Sequence, residues 1–176
     1  MANAGGIRLT SPLDPWPKAL EDFDHQIATN LRSTFLLGRA VAPFMVATGG
    51  GHVVNVSTDH MHRAPGVRTG GGASMDLYDA SKWAIRGLTE AWAVALHPHG
   101  IRVNELCMGA TDGPMLREFV GDRAGADTMA AWLRPEDVAR VLVELLSEGP
   151  DGRTGTQIGM WVGHSLGLGD DHANEN

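Results

Sequence analysis

The chain has 176 residues, of which 43% are apolar and 20% charged, and a formal net charge of −7. That composition describes a folded domain with a buried core and excludes a disordered tail. The acidic balance, with 14 basic residues scattered along the chain, argues against nucleic acid or an anionic membrane as partner, since both select clustered Lys and Arg. No apolar run approaches the ~18 residues of a membrane span, and the N-terminus lacks the basic and apolar regions of a signal peptide. One cysteine, Cys107, cannot form an internal disulfide, which points to a reducing compartment and a cytoplasmic protein. Within the apolar stretch Val103–Met108 it reads as a buried structural thiol.

The first residues are loop-like, with Gly5, Gly6, Pro12, Pro15 and Pro17. From about Lys18 to Val46 the pattern is helical. Phe23, Ile27, Leu31 and Phe35 recur every four residues as one apolar stripe, and Asp22 and Asp24 suit a helix N-terminus. Gly49–Gly51 ends this helix. A β-branched strand follows at Val53–Ser57, then a long polar loop from Asp59 to Asp76. A second helix is expected from Tyr78 to Leu96, stopped by His97-Pro98-His99-Gly100, and a second strand from Ile101 to Leu106. Gly109–Leu133 is irregular with short helical pieces. Pro135 opens a third helix whose buried face is Val138, Val141, Leu142 and Leu145. A last strand, about Thr156–Val162, precedes a tail expected to fray over residues 163–176.

This alternation predicts a single α/β domain with a parallel, doubly wound sheet. Its first helix has no strand before it, and Met1–Gly6 resemble the end of a strand. The fold thus reads as starting in mid-sheet.

The strongest chemical signal is Tyr78-Asp79-Ala80-Ser81-Lys82. Residues four apart share a helix face. A phenol titrates near ~10, and a neighbouring ammonium that stabilises the phenolate lowers that value toward useful acid/base chemistry. Upstream, the strand ends in two hydroxyls, Ser57 and Thr58, either of which can hydrogen-bond a substrate carbonyl. The loop segment Asp59-His60-Met61-His62 offers two imidazoles without further ligands. It reads as solvated, so no metal is expected. Trp83 and Trp92 read as packing residues.

These segments, taken in order, resemble a known family. Asn3-Ala4-Gly5-Gly6 is similar to the "NAG" turn of short-chain dehydrogenases, and Asn30-Leu31 to that family's helix asparagine. Val53–Thr58 resembles its strand ending in a serine pair. Tyr78–Lys82 matches its YxxxK. Arg102-Val103-Asn104 and Gly109–Met115 resemble its "RVN…PGxxxTPM" segment. The resemblance covers residues 3 to about 162 and implies an incomplete Rossmann-like fold, the catalytic C-terminal portion without the N-terminal βαβαβ half.

By that resemblance the chain is an NAD- or NADP-dependent oxidoreductase interconverting a small alcohol and a carbonyl. Tyr78 is the acid/base, and Lys82 lowers its pKa and meets the nicotinamide ribose. Asn30 holds a water in a proton relay. Ser57 or Thr58 polarises the carbonyl. Asn3, Ala4, Gly5, Gly109 and Thr111 line the cofactor site, and Thr111–Leu133 is the substrate lid. The two long helices imply a homo-oligomer.

Five features depart from the family pattern. Thr58 stands in the usual serine slot, Met108 replaces a proline and Gly113 a threonine. The spacing from Thr58 to Tyr78 is long, which swells the loop beside the pocket. The glycine-rich TGxxxGxG turn that cradles the pyrophosphate has no counterpart, so the 176 residues alone are expected to bind cofactor weakly. A non-catalytic assembly module is the rival expectation.

Overall fold

A computed structural model of the chain describes residues 1–62, 74–120, 124–161 and 166–168. Most of the loop beyond His62 and most of the expected tail lie outside the described residues. Three parallel strands, β1 (Gly51–Thr58), β2 (Ile101–Met108) and β3 (Gln157–Met160), form a sheet in the order β1-β2-β3. β1 and β2 pair from Gly51 opposite Ile101 to Thr58 opposite Met108. β1 and β2 run further than their apolar cores suggested, because ladder hydrogen bonds continue through Thr58 and Met108 into the site, whereas β3 is shorter than the expected Thr156–Val162.

Both faces of the sheet are covered, so the strands read as near-continuous buried runs. On one face Val53, Ile101 and Val103 pack against Ala93 of α3 (Asp76–Leu96). On the other, Val54, Leu106 and Ile158 pack against Val141 and Leu145 of α6 (Pro135–Ser147). Leu145 is fully buried, a placement that stabilises the fold by ~1.5–3 kcal/mol. Val138 and Leu142 pack at the margin of that cluster, as their spacing predicts. The doubly wound arrangement expected from the sequence is therefore present.

The N-terminal segment lies along β1. Ala2 forms a parallel bridge with Asn55, its N–H donating to the Val54 carbonyl at 2.8 Å.

The long first helix departs from expectation in two ways. It begins at Trp16, so Asp22 and Asp24 are interior, and it is not α-helical throughout. α1 (Trp16–Gln26) widens into a π-helical turn at Ile27–Arg32 before α2 (Ser33–Ala47) resumes. Two hydroxyls span the widened turn: Ser33 donates to the Thr29 carbonyl, and Thr34 to the Asn30 carbonyl at 2.9 Å. Helical periodicity alone carries no signal for such a turn, which is a frequent device at functional sites.

A further departure is the buried face. The inward row is Asp22, Gln26, Asn30, Thr34 and Gly38, while Phe23 and Phe35 of the apolar stripe remain 49% and 42% exposed. The cause is the loop beneath. Residues 6–8 run along the helix without a ladder partner, and their backbone groups need one. Gln26 donates to the Gly6 carbonyl at 2.6 Å and accepts from the Arg8 N–H at 2.9 Å. Asp22 receives Arg8 at 2.7 Å and Lys18 at 2.5 Å. Further along, Gly38 leaves room for the Trp92 indole, which a Cβ there would strike. Trp92 is thus a packing residue. Trp83 is half exposed, so only part of its indole is buried.

The turn before β1 explains the glycine run. Gly50 has φ +122°, and a Cβ on it would meet the Gly100 carbonyl of the turn entering β2. Glycine alone tolerates both conditions.

Candidate active site

The C-terminal ends of β1 and β2, the first turns of α3 and the N-terminal loop enclose a cavity of about 530 Å³. Its walls include Asn3, Gly5, Ser57, Thr58, Tyr78, Lys82, Gly109 and Thr111. These are residues singled out from the sequence, collected from positions more than a hundred apart. Ala4 is exposed and does not line the cavity, and Asn30 sits behind the wall.

α3 supplies the central pair. Tyr78 and Lys82 are one turn apart, with the Lys82 ammonium 5.8 Å from the centre of the Tyr78 ring. Lys82 is 6% exposed, and its Nζ donates to the Val56 carbonyl at 3.1 Å. Burial pushes its pKa down to about 8, with the Glu105 carboxylate pulling the other way. The phenol does not follow the expected direction. Burial pushes Tyr78 up to about 12; the Thr58 hydroxyl opposes the shift, and the Asp79 and Asp59 carboxylates add to it. Desolvation disfavours the phenolate more than the Thr58 hydroxyl favours it.

Thr58 and Ser57 have different surroundings, because successive strand residues face opposite ways. Thr58 hydrogen-bonds the Asp59 carboxylate at 3.3 Å and caps the His60 N–H at 3.4 Å, and its hydroxyl is the one that acts on Tyr78. The Ser57 hydroxyl lies beside Glu105 and Cys107. It and Glu105 Oε2 are buried without a well-formed hydrogen bond among the described residues. Cys107 donates its thiol to the Thr58 carbonyl at 2.9 Å, and burial raises its pKa, so it is structural as expected.

Behind the cavity, Asn30 in the π turn ties three elements together. Its Oδ1 accepts from the Gly6 N–H at 2.8 Å, and its Nδ2 donates to Ser81 Oγ at 3.0 Å. Ser81 in turn donates to the Tyr78 carbonyl at 2.7 Å. Gly5 completes the corner: a Cβ there would lie 3.5 Å from both Asn30 Oδ1 and Lys82 Nζ.

On the opposite rim, Gly109 must be glycine, since a Cβ would fall 2.7 Å from that of Trp161 and 3.0 Å from Asp59 Oδ2. Thr111 bridges Leu133, and Asp112 N–H donates to the Leu133 carbonyl at 2.8 Å. The ends of the expected lid are thereby pinned together, with α4 (Pro114–Val120) and α5 (Ala126–Ala130) between them.

Sequence reasoning missed Asp59 and His60, which line the same cavity. Their only signal was the Asp59–His62 run, weighed for metal binding. Among the described residues no group of three His, Cys, Asp or Glu is arranged to hold a metal.

Comparisons with known proteins identify the family. A family model described as enoyl-(acyl carrier protein) reductase matches residues 3–164. The chain belongs to the short-chain dehydrogenase/reductase family. A (3R)-3-hydroxyacyl-CoA dehydrogenase of Rattus norvegicus is 36% identical over 143 residues, 78% of this chain and 52% of that protein. A solved short chain dehydrogenase/reductase family protein superposes with a TM-score of 0.76 at 31% identity, covering 92% of this chain and 64% of its own. A gluconate 5-dehydrogenase from Burkholderia cenocepacia, solved in complex with NADP and tartrate, gives 0.75 at 25% identity, with 92% and 62% covered. The chain spans between 46% and 62% of the length of the curated relatives it matches.

Proposed function

We propose that this chain forms the catalytic portion of an NAD(P)-dependent oxidoreductase that interconverts an alcohol and a carbonyl. The observation that carries the reading is the convergence of Tyr78, Lys82 and the Ser57–Thr58 strand end on one cavity. The glycine-lined corner at Gly5 and Lys82 fits the ribose and nicotinamide end of the cofactor, with Asn3, Gly109 and Thr111 around it. Bound there, the nicotinamide supplies or takes up hydride.

The chain's own residues handle the proton. Tyr78, protonated at neutral pH, donates to the developing alkoxide during reduction; during oxidation its phenolate form accepts the proton of the alcohol. Lys82 holds positive charge beside it and offers donors to a ribose. Thr58, the hydroxyl adjacent to the phenol, orients the substrate oxygen. Asn30 positions the N-terminal loop and, through Ser81, the Tyr78 backbone. The single buried thiol suits a reducing compartment such as the cytoplasm. No helix among the described residues is long and apolar enough to cross a membrane.

The test is hydride transfer by the full-length enzyme, followed through nicotinamide absorbance. Thr58→Ala should lower kcat by about 10²–10³. Thr58→Ser, which keeps the hydroxyl and removes the methyl, should retain turnover. If both variants turn over like the parent, Ser57 or neither hydroxyl serves the carbonyl.

A homo-oligomer built through the long helices is supported by the apolar side chains they expose. On α2 these include Leu36 at 51% and Phe44 at 74% exposure, and on α3 Val94 at 79%. Sedimentation should show an assembled species that Phe44→Glu with Val94→Glu reduces to the monomer mass. A parent protein that already sediments as a monomer overturns this part of the reading.

A further inference from the structure

The wall beside Tyr78 carries two groups that the proton chemistry above does not use. His60 follows β1 in a single helical turn, Asp59–Met61, with its N–H capped by Thr58. Its Nδ1 lies 2.7 Å from Asp79 Oδ1, and its ring stands edge-on to the Tyr78 ring with centres 5.6 Å apart. Asp79 follows Tyr78 on α3, so the imidazole is fixed to the helix that presents the phenol. Asp59 lies on the same wall, its carboxyl held by Thr58 at 3.3 Å. Both face one cavity with Tyr78.

The chemistry of these groups is specific. A neutral imidazole whose Nδ1–H donates to a carboxylate leaves Nε2 as an acceptor, and a carboxylate accepts only. The wall next to the reacting oxygen therefore offers acceptors and calls for a donor on the substrate. Further out, Met115, Leu116 and Phe119 of α4 give the cavity an apolar side. We propose that Asp59 and His60 form a hydroxyl-reading subsite, and that the substrate is a vicinal diol or α-hydroxy ketone with an apolar tail. This rests on the oxidoreductase reading for the placement of the reacting oxygen at Tyr78. Asp79 acts as a positioning residue through His60.

The experiment uses the full-length protein and two matched probes, a vicinal hexanediol and a secondary hexanol of equal chain length. Imidazole proton–nitrogen NMR reports binding without turnover, the His60 signal being the one lost in His60→Gln. The diol should shift that signal saturably, and the hexanol at equal concentration should not. In turnover, His60→Gln should reduce the diol-over-hexanol ratio of kcat/KM by about ten- to a hundred-fold, the worth of one hydrogen bond to a charge-assisted group. Asp79→Asn should move the ratio in the same direction by less.

Equal shifts from both probes, or a ratio unmoved by His60→Gln, overturn the subsite while leaving the oxidoreductase reading intact. Preference for an amino alcohol over the diol overturns the hydroxyl class. A diol-specific shift without hydride transfer from any alcohol supports the subsite and removes the oxidoreductase reading. Silence in both measurements overturns both.

Discussion

Replacing Tyr78 with phenylalanine in the full-length enzyme should lower turnover by about 10²–10⁴ while leaving the fold intact, because one positioned acid/base contributes on that order. The ring stays, so the edge-on contact with His60 and the packing at the head of α3 persist. Unfolding in urea should therefore match the parent, which separates lost chemistry from lost structure.

The pH profile sharpens the test. Burial holds the Tyr78 phenol up to about 12. Below that value the group is protonated, so carbonyl reduction has its acid in place across the neutral range. Alcohol oxidation needs the phenolate, whose population grows ten-fold for each step of one in pH. Between about pH 5 and 7, below the range where Lys82 loses its proton, oxidation should climb with pH and reduction should stay flat. Tyr78→Phe should abolish the climb. A variant that keeps both turnover and slope would assign the proton to another group, and His60, on the same wall, would be the first to test.

The sequence made parts of this site legible for identifiable reasons. Tyr78 and Lys82 could be paired because helix periodicity converts a spacing of four into a shared face. The strand end at Ser57–Thr58 was visible because a β-branched run bounded by glycine has few other readings. Gly109 and Thr111 entered through family resemblance and then acquired physical reasons: the Trp161 and Asp59 contacts at Gly109, and the bridge to Leu133 at Thr111.

What failed was local pattern where a non-local partner decides. The stripe Phe23–Phe35 has ideal helical spacing, yet the inward row is Asp22, Gln26, Asn30 and Thr34, because that face meets the backbone of residues 6–8 instead of a core. Nothing in the helix itself announces the loop beneath it. The direction of the Tyr78 shift failed similarly. Proximity to Lys82 was correct, but the degree of burial is set by strands and loops distant in sequence. His60 was read as solvated because its partner, Asp79, lies nineteen residues away.

Lys82 sets up the second large expectation, a trade of stability for function. Its fall from an ordinary 10.5 to about 8 corresponds to ~3 kcal/mol of disfavour for the charged form inside the folded protein. The bond to the Val56 carbonyl recovers part of what burial removes. At pH 7 the folded chain therefore carries a penalty that a neutral side chain of similar length would avoid. Lys82→Met should stabilise the protein by ~1–3 kcal/mol at pH 7, even as turnover falls by about 10² or more with the loss of the positive charge beside the phenol.

The sign of the pH dependence follows from linkage. Because the folded pKa of Lys82 lies below its unfolded value, the unfolded chain holds the extra proton between about 8 and 10.5, and parent stability rises through that window. The methionine variant has no such group. Its advantage over the parent should be constant below about pH 8 and shrink as pH climbs toward 10.5. Urea titrations of both proteins at neutral and alkaline pH measure this gap directly, since the other titrating groups largely cancel in the difference. A variant destabilised at every pH would mean that Lys82 serves the fold through its bond to Val56. A variant more stable at neutral pH but inactive would mark Lys82 as a charge kept buried for the reaction.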